Sequence, residues 1–284
     1  MTKKLIIHHF TDPMSIYAYA MEPALRKVKY LQPDLIEIDN IIGLLHTNLE
    51  DFLGDGEKYH KRFEEIRSQM IIQCKDIRER TGMPFSLKHL ENLIVEDLDS
   101  TDLGLAYYSI KLIDKEIADK FLRKMMEDIH TYNLELHDEK TLENQVLKFN
   151  IDLDKFRENI ENGLAEKELK NAIAKADNEE IFSFPSLFME YEGKFKLITG
   201  YVDYLRFELE IENLTKGVID LEEREFNLKN LKEYISTYKK VTAAEVKLAF
   251  SVSDSQLDEM INELLEDGNY ELEFVASSFF IIEK

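Results

Sequence analysis

The sequence predicts an α/β fold with a long helical insertion and a separate C-terminal unit. A strand-like run, Leu5–Phe10, precedes a helical segment that ends at about Leu31, and a second strand-like run, Leu35–Ile42, follows. Residues 57 to about 181 have helical periodicity almost throughout, and a β-hairpin pattern occupies 182–200. Strands joined through a helix in one sheet are parallel, so the first two strands should pair in parallel.

Composition indicates a packed, soluble protein and argues against general binding to nucleic acid. The 284 residues are 44% hydrophobic and have room for two domains. A net charge of −21 would repel the phosphates of DNA, RNA and anionic lipid. No apolar run approaches the length of a membrane span, and Met1–Lys4 lead into a strand without a signal-peptide cleavage site. The single cysteine, Cys74, rules out an intramolecular disulfide and favours a cytoplasmic location.

The segment Asp12–Pro23 is where a functional site is expected. Asp12 is the expected N-cap of the first helix, and Pro13 suits its first turn, where a missing N–H costs nothing. Pro23 should kink that helix. A strand, a short turn and a helix N-terminus form the place where α/β folds commonly present a nucleophile or bind an anion.

Residues 57–180 predict a helical insertion, which begins after a turn or loop at Gly54-Asp55-Gly56 that interrupts the regular secondary structure. Thr81–Pro84 should end its first helix, and Asp99–Asp102 should cap the next one. Further helices are expected over residues 116–133, 138–148 and 154–176.

The hairpin after the insertion is entered through Pro185. Its two arms are Phe182–Tyr191 and Phe195–Gly200, which a Glu192-Gly193-Lys194 turn joins. A helix over Tyr201–Asn213 should close this domain, which therefore spans residues 1–215.

The N-terminal motif resembles the active-site segment of the DsbA-like branch of the thioredoxin superfamily. In that branch Asp-Pro-Met precedes Cys-x-x-Cys-Tyr, whereas this chain reads Asp12-Pro13-Met14 and then Ser15-Ile16-Tyr17-Ala18-Tyr19. The Thr81–Phe85 stretch, the Asp99–Asp102 stretch and the helical insertion are also similar to that branch.

This resemblance implies a thioredoxin-like, DsbA-type core with a degenerate active-site motif, Ser15-Ile16-Tyr17-Ala18. It also implies that Pro185 is a cis-proline opposite Ser15. Candidate ligand or partner contacts are Met14, Tyr19 and Phe184.

Ser15 leaves two chemical interpretations open. Its hydroxyl at a helix N-terminus could donate a hydrogen bond to a bound thiolate, which resembles kappa-class glutathione transferases. Alternatively, Ser15 is a structural residue in a site that has lost its thiol; we favour this, because the kappa class does not need the added C-terminal module. Dithiol exchange is excluded on chemistry, because neither Ser15 nor Ala18 can supply a thiolate.

Cofactor and metal chemistry are not expected elsewhere in the chain. Cys74 lies among apolar residues at helical spacing and should be a buried, inert thiol. His8 and His9 are strand neighbours that point to opposite faces, so they cannot chelate one ion. The other histidines have no ligand spacing, and the sequence predicts no metal site.

Residues 216–284 predict a linker and a winged-helix-like domain. A helix at 228–238, capping boxes at Thr242 and Ser253, and a hairpin over 270–282 follow the order of elements in such domains. The helix at the recognition position, Asp254–Asp267, has many carboxylates and no Lys or Arg, so it should not enter a DNA groove. It should either contact a protein or pack on the first domain.

The combination of domains resembles the cytosolic DsbA-like adaptor proteins of Gram-positive bacteria, of the YjbH or SpxH type. That family hands the transcription regulator Spx to the ClpXP protease, and its members often keep a Cys-x-x-Cys, which this chain lacks. We therefore expect a redox-inactive cytoplasmic adaptor without enzymatic activity, whose partners are a Spx-like protein client and ClpXP. The alternative is a glutathione-dependent transferase or isomerase of the kappa type that uses Ser15.

Overall fold

A four-stranded mixed sheet, in the order β2-β1-β3-β4, forms the centre of the first domain. The structure is a computed structural model that describes residues 3–44 and 57–284. Strand β1 pairs in parallel with β2 and antiparallel with β3, and β3 pairs antiparallel with β4. The strands are β1 Leu5–Thr11, β2 Ile36–Ile42, β3 Ser186–Tyr191 and β4 Lys194–Thr199. The predicted α/β class, the parallel pair and the hairpin are confirmed.

Helices account for most of the remaining described residues. Helix α1 follows β1, helices α2 to α8 form the insertion between β2 and β3, and α9 follows the hairpin. The bounds are α1 Ile16–Leu31, α2 Glu57–Thr81, α3 Lys88–Glu91, α4 Thr101–Ile113, α5 Lys115–His130, α6 Glu139–Leu147, α7 Leu153–Glu161, α8 Leu164–Asn178 and α9 Tyr204–Thr215. The interruption of secondary structure predicted at Gly54-Asp55-Gly56 lies outside the described residues. Among the described residues, no helix is both long and apolar enough to span a lipid bilayer.

The predicted start of α1 was wrong. Ser15 is the N-cap, because its Oγ accepts a hydrogen bond from the backbone N–H of Ala18 at 3.2 Å. The Asp12 carboxylate instead accepts from the N–H of Met14 at 2.7 Å, within the turn that precedes the helix. Both residue types are good N-caps, but the Asp12 carboxylate is engaged by the Met14 N–H and by the Ser100 hydroxyl, and Ser15 takes the cap position.

Other predicted helix boundaries also differ from the structure. The helix expected over 154–176 is two helices, because Gly163 adopts φ 76 between α7 and α8, a conformation that glycine tolerates best. Helix α9 begins at Tyr204, three residues later than expected, because Asp203 caps it by accepting from the N–H of Arg206.

The C-terminal unit contains three helices and a small sheet in the order β5-β7-β6. Both predicted capping boxes form, with Thr242 and Ser253 as the N-caps. The elements are α10 Leu228–Tyr238, β5 Lys240–Thr242, α11 Ala243–Phe250, α12 Asp254–Glu266, β6 Tyr270–Val275 and β7 Ser278–Glu283.

The C-terminal unit shares an apolar core with the first domain. One core cluster contains Leu25 of α1 and Phe207 of α9 together with Tyr234 and Phe250 of the C-terminal helices. Polar contacts add to this packing, since the Tyr238 hydroxyl donates to the Arg26 carbonyl of α1 at 2.9 Å. Residues on both sides of position 215 therefore stabilise each other.

Arg123 of α5 is the centre of a buried ionic network at this junction. Its guanidinium donates to Glu22 of α1 at 3.3 Å, to Glu127 of α5 at 2.9 Å and to Glu245 of α11 at 2.8 Å. Arg26 of α1 also lies 3.1 Å from Glu245. Although burial opposes ionisation, the Arg123 and Arg26 guanidiniums hold the pKa of Glu245 below its usual value.

Replacing Glu245 by Gln should strongly destabilise the protein. The Glu245→Gln change keeps the shape but leaves Arg123 and Arg26 under-neutralised, and breaking a buried ion pair costs roughly 3–5 kcal/mol. Urea unfolding at neutral pH measures the loss. The matched control is Glu143→Gln, which breaks an ion pair with Arg157, a side chain that is 47% exposed, and should cost less than about 1 kcal/mol. Equal losses in the two variants would contradict a structural role for the buried network.

Candidate functional site

The turn between β1 and α1 meets the start of β3 at a cis peptide bond, Phe184–Pro185. The Ser15 hydroxyl donates to the Phe184 carbonyl at 3.2 Å and accepts from the Ala18 N–H at 3.2 Å. Ser15 is only 4% exposed. Its hydroxyl proton and a lone pair are thus both used inside the protein.

The other residues of the Ser15-Ile16-Tyr17-Ala18 motif are mostly buried. Ile16 and Ala18 belong to the core, and Tyr17 is partly exposed. Since the Ala18 side chain is a fully buried methyl group, this position offers a ligand neither a polar group nor accessible surface.

The predicted contact residues differ in accessibility. Tyr19 is fully buried, its ring stacks on His130 with centroids 5.5 Å apart, and its hydroxyl is 3.0 Å from the Thr131 hydroxyl. Met14 is also buried, and Phe184 is partly buried. The expectation that Tyr19 contacts a partner was therefore wrong: Tyr19 is a core residue, and among the three candidates Phe184 keeps the most accessible surface.

Two residues of the helical insertion bind the turn between β1 and α1. The Ser100 hydroxyl at the start of α4 donates to the Asp12 carboxylate at 2.5 Å. His130, at the end of α5, donates from Nε2 to the Pro13 carbonyl at 3.0 Å. Burial lowers the pKa of His130 to about 3, so its imidazole is neutral at physiological pH.

Gly43, just after β2, makes room for the Phe184 ring. A Cβ at position 43 would lie 2.4 Å from Cζ of Phe184, closer than any van der Waals contact allows. Because Phe184 also provides the carbonyl that Ser15 binds, the ring packing and the hydrogen bond are coupled.

We define an aromatic patch as Tyr17 and Tyr201, whose rings are neighbours in space, together with Phe182, which is near the Phe184–Pro185 bond in sequence. The rings of Tyr17 and Tyr201 have centroids 6.3 Å apart, and the Arg80 guanidinium lies 5.4 Å from the Tyr201 ring. Phe182, two residues before Phe184, is 80% exposed. Exposed aromatic and cationic side chains suit contact with a polypeptide.

The remaining predicted chemical groups do not form a reactive centre. Cys74 is buried, and burial raises the pKa of its thiol to about 11, which disfavours the thiolate. His8 lies 3.3 Å from Asp39, and His9 lies 2.9 Å from Asn40. Within residues 3–44 and 57–284, no group of three His, Cys, Asp or Glu side chains could hold a metal ion.

Sequence reasoning missed the residues that fix the turn from a distance. Gly43, Ser100 and His130 contact Phe184, Asp12 and Pro13 across large sequence separations. A lone glycine, serine or histidine carries no local pattern that points to such a contact. Only the three-dimensional arrangement assigns these roles.

Comparison with known proteins agrees with this geometry. A family model described as Thioredoxin matches residues 8–207. No curated protein matches the sequence.

Solved structures share the fold at low sequence identity. A candidate protein disulfide isomerase from Nitrosomonas europaea is 16% identical, with a TM-score of 0.62, and the match covers 76% of this chain and all of that one (100%). The cytosolic disulfide reductase DsbM from Pseudomonas aeruginosa is 14% identical, with a TM-score of 0.53 and coverage of 71% of this chain and 91% of DsbM. A 2-hydroxychromene-2-carboxylate isomerase is 12% identical, with a TM-score of 0.54 and coverage of 77% of this chain and 100% of the isomerase. These likenesses establish the fold.

Stability should fall as the pH drops from about 6.5. The pKa of His130 is about 3 in the folded chain and 6.5 for a free histidine, so the unfolded chain binds a proton that the folded chain does not. This contribution is present above pH 6.5 and is lost progressively towards pH 3. Between pH 7 and pH 5 the loss from His130 should be about 2 kcal/mol. Urea unfolding at both pH values measures it; His130→Gln keeps a donor for the Pro13 carbonyl and should lose correspondingly less, whereas an equal loss would contradict a buried neutral imidazole.

The Gly43→Ala change should disturb the turn through Phe184. The added methyl group must displace the ring, and overpacking of this kind costs roughly 1–3 kcal/mol. Thermal unfolding measures the cost. Gly104→Ala is the control, because its Cβ would meet the flexible ends of Leu169 at 3.1 Å and of Leu44 at 3.6 Å. If Gly43→Ala is tolerated as well as Gly104→Ala, Phe184 is not held by close packing.

Proposed function

Since this chain belongs to the thioredoxin family, and its active-site turn has no thiol, we propose that it is a redox-inactive, DsbA-like protein-binding adaptor. The observation that carries this proposal is the state of Ser15. Its hydroxyl is buried and bonded to the Phe184 carbonyl and the Ala18 N–H. A donor that is already used is not free to stabilise a ligand thiolate.

The accessible part of the site supports binding of a protein partner and not catalysis. The aromatic patch presents Phe182 and the partly exposed rings of Tyr17 and Tyr201, with Arg80 beside them. We assign this patch as the client-contact surface, since aromatic and arginine side chains dominate the energetics of protein interfaces.

We further infer that the C-terminal unit is a winged-helix-like domain that contacts protein. The order α10, β5, α11, α12 and the β6–β7 hairpin supports this inference. The exposed side of α12 includes Asp258, Glu259 and Glu263 and has no basic residue, so it would repel a DNA backbone. Its acidity favours a basic surface on the partner and speeds encounter.

The resemblance to cytosolic DsbA-like adaptors leads us to propose the client and the pathway. The client is a Spx-like transcription regulator, and the chain promotes its delivery to the ClpXP protease in the cytoplasm. A cytoplasmic location also suits a chain whose single thiol, Cys74, is buried and unpaired.

Reconstitution with purified components tests the adaptor proposal. The full chain should bind a labelled Spx-like regulator in a fluorescence titration and accelerate its degradation by ClpXP. Phe182→Asp should weaken binding at least roughly tenfold, since it places a charge in an aromatic contact. Phe274→Asp, at a 76% exposed phenylalanine of the C-terminal unit, is the matched control and should bind the regulator normally. No binding at micromolar concentration, or no acceleration, would overturn the proposal.

A glutathione titration separates the adaptor from the kappa-type alternative. Calorimetry with the full chain should detect no glutathione binding, because the Ser15 hydroxyl is already bonded inside the protein. Glutathione binding that disappears in Ser15→Ala would instead support a transferase or isomerase. This alternative rests on the position of Ser15 at a helix N-terminus, which favours a negatively charged ligand group such as a thiolate.

A further inference from the structure

The two edges of the four-stranded sheet are treated differently. At the β2 edge, the Tyr108 hydroxyl bonds both the N–H and the carbonyl of Ile42, and Tyr107 and Lys111 donate to the Asn40 carbonyl. Strand β4 pairs with β3 alone, and in the described part of the chain nothing pairs with its outer side. An open strand edge is a template for pairing with another strand.

The hairpin turn determines which β4 groups face outward. Glu192 and Gly193 have φ of 52 and 74, which is the pattern of a two-residue type I′ turn and makes Tyr191 and Lys194 a hydrogen-bonded pair. Hydrogen-bonded pairs alternate along an antiparallel ladder, so Lys196 and Ile198 also bond to β3.

The backbone N–H and carbonyl groups of Phe195, Leu197 and Thr199 therefore point away from the sheet. The bond from the Gly200 N–H to the Pro185 carbonyl, at 2.8 Å, continues the same alternation.

Apolar side chains lie close to this open edge. Phe195 is 57% exposed, and its ring centroid lies 5.5 Å from that of Phe188 on β3. Helix α9 packs beside β4, where Glu210 pairs with Lys196 at 2.8 Å. On the same helix Leu205 is 75% exposed and Leu209 is 53% exposed, four residues apart on one helical face. Such exposed apolar surface next to an unpaired strand indicates an interface.

We propose that β4 pairs antiparallel with β4 of a second copy of this chain, about a twofold axis at Leu197. In this register Leu197 lies opposite Leu197 of the second copy, and Phe195 lies opposite its Thr199. Every outward N–H and carbonyl of these three residues then has a partner. The sheet becomes continuous across the two copies, and the proposal does not depend on the adaptor function.

The charges of the edge favour a second copy over a foreign strand. Self-pairing about Leu197 places Lys196 opposite Ile198 and Lys194 opposite Gly200, so no like charges are directly opposed. A basic foreign strand, which the net charge of −21 would otherwise attract, would meet Lys194 and Lys196. Because the two copies repel each other overall, salt should strengthen the pairing.

Amide hydrogen exchange and sedimentation equilibrium of the full chain test the pairing. We expect concentration-dependent dimerisation above the 33.4 kDa of one copy. The amides of Phe195, Leu197 and Thr199 should be protected at high concentration and exchange freely at low concentration. The amides of Lys196 and Ile198 should be protected at both, because they bond to β3. A single-copy mass throughout, or protection of the three outward amides only when a client is added, would overturn the proposal.

Charge pairs at Leu197 test the twofold register itself. Leu197→Lys and Leu197→Glu should each weaken dimerisation at least roughly tenfold, since each places like charges directly opposite one another. An equimolar mixture of the two variant chains should restore the dimer, because Lys then faces Glu. Circular dichroism confirms that each variant is folded, and Phe274→Asp should dimerise like the unchanged chain. A dimer that survives both variants, or folded variants whose mixture does not recover, would place the interface elsewhere.

Discussion

The ionic network centred on Arg123 is the constraint on which the rest of the structure depends. The carboxylates that bind Arg123 come from three places: Glu22 in α1, Glu127 in the insertion and Glu245 in the C-terminal unit. A desolvated guanidinium is tolerated only while its partners are present, so none of these elements can pack without the others. The C-terminal unit is therefore part of the architecture around α1, and the orientation of α1 fixes the turn at its N-terminus.

That turn keeps the geometry of a thioredoxin-type site with a different use for each group. The helix N-terminus would stabilise the thiolate of a cysteine at position 15. The Ser15 hydroxyl instead accepts a hydrogen bond from the Ala18 N–H and donates one to the Phe184 carbonyl. The hydroxyl thereby joins α1 to the cis-proline strand. Gly43 leaves space for the Phe184 ring, and His130 donates a hydrogen bond to the Pro13 carbonyl. The hydrogen bonds of Ser15 therefore make this position rigid.

Local patterns predicted most of the fold, and long-range contacts account for what they missed. The capping boxes at Thr242 and Ser253 depend on residues three positions apart, so the sequence contains the whole signal. The sequence near the turn does not contain the whole signal for the choice between Asp12 and Ser15 as N-cap, because Ser100 from the insertion engages the Asp12 carboxylate. Arg123 is the clearest miss: a charged residue in a helix usually indicates a solvated face, and nothing nearby in the sequence shows that distant carboxylates bury it.

Fixed geometry is also what connects the structure to an adaptor role. A disulfide oxidoreductase needs an accessible thiol, whereas an adaptor must hold two partners in a constant relation. Because the C-terminal unit and α1 share both an apolar core and the Arg123 network, the acidic face of α12 and the patch around Tyr17 belong to one packed body. A client bound at the patch would be presented at a fixed position relative to α12. The adaptor role that we propose requires this fixed relation and needs no thiol at position 15.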